Sequence, residues 1–218
     1  MRQIQADVWE TATESPFPGL TTHAYLFRRD RGNVLFYATS IQSELDAMQE
    51  LGGVSYHFLS HRDEFGVSLS RVRENFGAKL GCHELEKEDC AKYCQPDILF
   101  TGREQLLDDV EVVPVPGHSP GSVCFLVTAS GKRYLFTGDT IYCAGEGHWR
   151  AGYIPGFSTV EDARGMIDSL AVIRGLEPDV VLSSAFSGDT GYQAMSPGDW
   201  PGYVDDALAG LRLEIEVA

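Results

Sequence analysis

The 218-residue chain lacks the features that mark out several specialised classes of protein. No run approaches the ~20 apolar residues that a membrane-spanning helix needs, and Met1 leads into Arg2-Gln3-Ile4-Gln5 rather than an apolar leader. A cytoplasmic protein with no membrane partner is expected. Basic residues are scarce, 17 against 32 acidic ones, for a formal net charge of −15. That balance argues against a nucleic-acid partner, because counterion displacement needs clustered cations. Internal repeats, low-complexity tracts and Pro/Ser linkers are absent, so nothing marks a boundary and one domain spanning 1–218 is expected. No phosphate-binding Gly-x-x-x-x-Gly-Lys-Ser/Thr loop occurs, and no dinucleotide-binding glycine fingerprint follows a strand. The five cysteines are odd in number and include no close Cys-x-x-Cys pair, which suits a reducing compartment. Cys82, Cys90 and Cys94, with His83, are at most a minor metal or redox candidate.

What is present reads as strands first and then alternating helices and strands. Residues 24–27 and 33–37 are β-rich runs on either side of the polar turn Arg29-Asp30-Arg31-Gly32, which predicts a hairpin. Ile41, Leu45, Met48 and Leu51 recur at helical spacing before Gly52-Gly53. Residues 54–60 read as a strand, 68–76 as a helix closed by Gly77, 78–82 as a strand and 84–93 as a third helix. Strand-like runs at 111–115 and 122–127 flank a loop carrying His118, and 133–136 leads into Gly138-Asp139. Ser158-x-x-Glu161 spells a capping box opening a helix to about Gly175. A buried strand is expected over 180–182, and a last helix from Ser196-Pro197.

Three separated motifs carry the chemistry. Ser60-His61-Arg62-Asp63-Glu64-Phe65-Gly66 follows a strand, Pro116-Gly117-His118-Ser119-Pro120-Gly121-Ser122 joins two strands, and Thr137-Gly138-Asp139-Thr140 ends one. Loops at strand ends expose side chains while the strands hold them rigid. In order and separation these motifs resemble the metal-binding signature of the metallo-β-lactamase superfamily. The resemblance implies an α/β fold, a four-layer αββα sandwich, over roughly residues 15–185. It also implies that His61, Asp63, His118 and Asp139 converge as metal ligands. The family's first motif runs His-x-His-x-Asp-His, so Asp63 stands at a histidine position. Phe65, Gly66 and Ala185 stand where second-metal ligands would lie. The segment Phe36-Tyr37-Ala38-Thr39-Ser40 lacks the Asp that relatives place after the second strand.

One ion is therefore expected, zinc first and iron as the other candidate, with a metal-free protein as the rival. Bound metal would activate water and polarise a carbonyl or phosphoryl oxygen, with Asp63 and Asp139 as the catalytic carboxylates. The expected reaction is hydrolysis of a small-molecule ester, thioester, lactone or phosphoester. The alternative is a catalytically degenerate ligand-binding or interaction module, in which Asp139 and His118 serve as hydrogen-bonding groups. His23, Glu64, His148, Trp149 and Tyr153 are candidates for a substrate pocket, the last three in a Gly/aromatic segment following Asp139.

Overall fold

β-Branched and aromatic runs and helical apolar stripes build two compact units, Met1–Thr101 and Gly102–Ala218, in a computed structural model describing residues 1–145 and 147–217. The first unit is organised on a seven-stranded sheet. Its order is Arg2–Gln3, Val8–Glu10, Tyr25–Phe27, Val34–Phe36, Tyr56–Phe58, Lys79–His83, Ile98–Phe100. The predicted hairpin is present, with Tyr25 opposite Phe36 and Phe27 opposite Val34. From Val34–Phe36 onward the strands pair in parallel, so the carboxyl ends of these strands all lie along one edge of this sheet. Loops at the carboxyl ends of parallel strands are the usual place for ligand chemistry in α/β sheets, and His61 stands three residues past Phe58 on that edge.

Helices Gln42–Glu50 and Ser68–Phe76 form where their periodicity predicts. Gly77 closes the second with a left-handed φ of 66°. The expected helix over 84–93 divides into a 3-10 turn, Glu84–Glu86, and a short α-helix, Lys87–Ala91. His83 caps the turn, its Nδ1 accepting the Leu85 N–H.

The second unit holds a six-stranded sheet ordered Tyr192–Ala194, Val180–Ser183, Lys132–Gly138, Val123–Ala129, Val110–Pro114, Glu104–Leu107. Its apolar core joins Leu135, Val181, Met166, Leu170, Ile173, Trp200, Val204 and Leu211 from sheet and helices. Helix Val160–Arg174 has its capping box one residue later than the sequence spacing suggests: Thr159 accepts from Asp162 N–H, and the Asp162 carboxylate accepts from Thr159. Ser158 is occupied elsewhere, its Oγ accepting the Ile154 N–H. The last helix is Trp200–Val217 rather than one from Ser196. Gly198, at φ 89°, holds a left-handed conformation that a right-handed helix excludes. Among the described residues no helix is long and apolar enough to cross a membrane.

Candidate functional site

His61 follows its strand in an extended conformation and is itself followed by a single 3-10 turn, Arg62–Glu64. That turn folds Glu64 back. Its carboxylate accepts the Ser60 N–H at 2.9 Å and the Ser60 hydroxyl at 2.5 Å, and it lies 3.2 Å from His61 Nδ1. Because the hydroxyl proton goes to Glu64, Ser60 Oγ accepts from His61 Nδ1–H at 2.8 Å. This places a proton on His61 Nδ1, and in the neutral imidazole the lone pair is then on Nε2. A second carboxylate braces the same turn: buried Glu86 accepts from Arg62 Nε at 2.8 Å. Asp63, in the same turn, is exposed, and one of its carboxylate oxygens lies within 4.8 Å of a His61 ring nitrogen. Phe65 packs against the cluster of Leu59, Leu69 and Leu80 and offers no donor atom.

In the second unit His118 lies in the loop between Val110–Pro114 and Val123–Ala129. Gly117 is dictated by packing, since a Cβ there would lie 2.5 Å from Met166 N and 2.7 Å from Met166 Cα on the neighbouring helix. Ser169 Oγ donates to Pro116 O at 2.7 Å and ties the loop to that helix. His118 Nδ1 donates to the carbonyl of Gly152 at 2.7 Å, which again assigns a proton to Nδ1. Asp139 follows a register shift at the end of Lys132–Gly138, and its Oδ1 accepts the Ala185 N–H at 2.8 Å. Gly152 joins the two: a Cβ on it would stand 1.7 Å from Asp139 O and 3.1 Å from His118 Nδ1.

Gly117-His118-Ser119-Pro120-Gly121 also has the Gly-x-Ser-x-Gly spacing of a nucleophile elbow. Such elbows join a strand to a helix, whereas this stretch joins two antiparallel strands. Ser119 is buried and its hydroxyl bonds to Ser122 Oγ at 2.9 Å, which gives it a loop-forming role.

The pocket candidates divide. Glu64, with a side chain only 4% exposed, is turned toward Ser60 and His61 instead of outward. Trp149 is a core residue, edge-to-face with Trp200, and its indole N–H donates to Gln193 Oε1. Tyr153 packs partly against the same core, while His148 is exposed. His23 is buried beside Tyr25, and burial pushes its imidazole below the ordinary value. Cys82, Cys90 and Cys94 are free and buried, and hydrogen bonding with Cys90 pushes the Cys82 thiol up. Among the described residues the three thiols form no group able to share an ion. The residue with no signal in the sequence was Gly152, which no spacing links to His118 across 34 positions.

The sequence profile of the metallo-beta-lactamase superfamily matches residues 96–216. A hydroxyacylglutathione hydrolase from Anaeromyxobacter dehalogenans (strain 2CP-C) is 37% identical over 102 residues, covering 45% of this chain and 36% of that protein. The chain thus spans only about a third of the length of this curated relative. Among solved structures, a metallo-beta-lactamase from Pontibacter korlensis superposes with a TM-score of 0.74 at 15% identity, covering 97% of each chain. A motif mutant of a metallo-beta-lactamase from Cronobacter sakazakii gives 0.72 at 15% identity, covering 95% of this chain and 98% of that one. Likeness at that identity shows the fold, and mixed α/β architecture agrees with it.

Proposed function

The chain belongs to the metallo-beta-lactamase superfamily, and from that premise we propose that it is a metal-dependent hydrolase whose two units act as halves of one domain. In this reading His61, Asp63, His118 and Asp139 hold a single divalent ion, zinc before iron. The observation that supports it best is that both histidines commit Nδ1–H to an acceptor, Ser60 Oγ and the Gly152 carbonyl, which leaves Nε2 as the basic nitrogen on each. Two neutral imidazoles and carboxylate oxygens are a donor set that suits zinc or iron. Phe65, Gly66 and Ala185 supply no side-chain donors for a second ion.

When bound, such an ion supplies Lewis acidity, lowering the pKa of a water and polarising a substrate carbonyl. The chain's own residues do the rest. Asp63, which is exposed, accepts a proton from the attacking water. Asp139 keeps Oδ1 on the Ala185 N–H, which restrains the carboxylate, and its other oxygen would be the one offered to the ion. Of the candidate substrates, an S-acyl thioester is favoured, since the relative at 37% identity is a hydroxyacylglutathione hydrolase. Water adds to the carbonyl and the thiol leaves, giving a carboxylic acid.

The test follows thiol release from an S-(hydroxyacyl)glutathione by protein reconstituted with one equivalent of zinc. Turnover that disappears on chelation and in His118→Ala is the expected outcome. Zinc-loaded protein that hydrolyses no thioester, ester, lactone or phosphoester sinks the proposal. The Asp139 contact with Ala185 N–H favours one second reading, a metal-free binding module in which this carboxylate is an architectural acceptor. Failure of the purified protein to retain zinc or iron would leave that reading standing.

A further inference from the structure

We propose that Glu64 and Ser60 form a positioning relay that sets the ligating nitrogen of His61, a role distinct from that of ligand, base or pocket residue. The inference rests on the metal-site reading above in one respect only, that His61 is a ligand. Its geometry stands within the first unit alone.

The hydrogen-bond directions leave one consistent arrangement. At 2.5 Å the Ser60 hydroxyl donates to Glu64 Oε1. With its proton so placed, Ser60 Oγ is an acceptor toward His61 Nδ1 at 2.8 Å. Glu64 Oε1, 3.2 Å from the same nitrogen, adds a second acceptor on that side. Both favour the proton on Nδ1. The main chain closes the circuit, because Ser60 N–H donates to the other carboxylate oxygen at 2.9 Å. Glu64 therefore receives donors on both oxygens from the residue immediately preceding His61, and a movement of the carboxylate is transmitted directly to the imidazole.

The spacing makes this feasible. A 3-10 turn over Arg62–Glu64 returns the side chain at position 64 to residues 60–61, and Arg62 within that turn is tied to buried Glu86. All of the partners are buried: Ser60, His61 and Glu86 as whole residues and Glu64 by its side chain. Solvent therefore offers no ready substitute for the relay.

Glu64→Gln is the discriminating change. An amide presents only one acceptor oxygen, so one of the two Ser60 donors must face an NH₂ group, and the hydroxyl is released to point elsewhere. Two readouts are taken on the same proteins. Long-range ¹H–¹⁵N spectra of the metal-free form report the His61 tautomer, and competition with a chromophoric chelator reports zinc affinity. The parent should show His61 as the Nδ1–H tautomer. Glu64→Gln should show a mixture and bind zinc ~10–100-fold more weakly, the usual effect of losing a group that orients a ligand. Ser60→Ala, which leaves the Glu64–His61 contact in place, should lie between them.

A parent protein carrying the proton on Nε2 overturns the relay, and that measurement requires no variant to fold. So does a Glu64→Gln protein with the parent's tautomer and zinc affinity. Should the parent bind no zinc while its His61 tautomer shifts in Glu64→Gln, the metal-site reading fails and the relay stands.

Discussion

Replacing Gly152 with alanine tests the part of the site least visible in the sequence. The added Cβ would lie 1.7 Å from the Asp139 carbonyl oxygen and 3.1 Å from His118 Nδ1. The first obstacle is backbone, which cannot rotate away as a side-chain tip would. Restoring ordinary contact requires a displacement of ~1 Å or more. Overpacking of that kind costs about 1–3 kcal/mol, and the rigidity of the obstacle puts this case near the upper end. Two hydrogen bonds are strained with it: Gly152 N–H to Thr140 O at 3.1 Å and His118 Nδ1–H to the Gly152 carbonyl at 2.7 Å. At about 2–4 °C per kcal/mol for a chain of this size, the metal-free variant should melt roughly 6–12 °C below the parent. On the proposed reading of His118 as a ligand, its displacement beyond the ~0.5 Å tolerance of a preorganised site should also cost at least about tenfold in zinc affinity. Differential scanning calorimetry and chelator competition measure the two effects. A Gly152→Ala protein within 1 °C or so of the parent, with unchanged zinc binding, would falsify the close approach of residues 151–153 to Asp139.

Gly210→Ala is the matched control: a Cβ at this exposed position in helix Trp200–Val217 meets nothing within 4 Å, so the change should stabilise by up to about 1 kcal/mol in urea denaturation. Asp139→Asn keeps an oxygen for the Ala185 N–H and should leave the melting temperature of metal-free protein nearly unchanged while abolishing metal retention, as elemental analysis would report. A large loss of stability with no metal in the parent would instead favour the binding-module reading. Zinc titration after chelator treatment should saturate near one equivalent, and two tight equivalents would contradict the loss of donors at Phe65, Gly66 and Ala185. Burial holds His57 neutral by pushing its pKa down to about 4, with Nε2–H donating to the Tyr37 carbonyl. The unfolded chain therefore binds the extra proton first, and stability should fall as pH drops from about 6.5 toward 4, by on the order of 3 kcal/mol from this residue. His57→Gln should flatten that part of the pH profile, and an unchanged slope would refute the assignment.

Elements with a strong period were legible in the sequence, and those fixed by tertiary contacts were not. Helices Gln42–Glu50, Ser68–Phe76 and Val160–Arg174 and the hairpin at 25–36 follow from apolar spacing and from Gly77 as a left-handed stop. Strands of two or three residues, such as Ile141–Cys143 and Trp149–Ala151, are too short to show an alternation and escaped the reading. The capping box slipped by one because Ser158 and Thr159 are equally good caps in isolation, and the Ile154 N–H decides between them. Near the site, His61, Asp63, His118 and Asp139 stood out by motif. Glu64 was noticed for its carboxylate, but its direction depends on how a three-residue turn closes onto Ser60. Glycine-rich surroundings in the sequence make Trp149 a pocket candidate, whereas in the fold it packs against Trp200 in the core.

The two histidines differ in what holds them. The anchor of His118 is a main-chain carbonyl, at a position where even a methyl group collides with Asp139. No single substitution can swap that acceptor for another chemical group, and the residue supplying it tolerates almost no replacement, so the placement of His118 is closed to gradual adjustment. The anchor of His61 is made of two side chains, a hydroxyl and a carboxylate. Each can be exchanged by a point mutation for a weaker or differently charged partner, so the basicity and orientation of His61 can drift in small steps. On the proposed metal-site reading, divergence in metal preference or rate among relatives of this chain should concentrate at positions 60 and 64, while position 152 stays glycine.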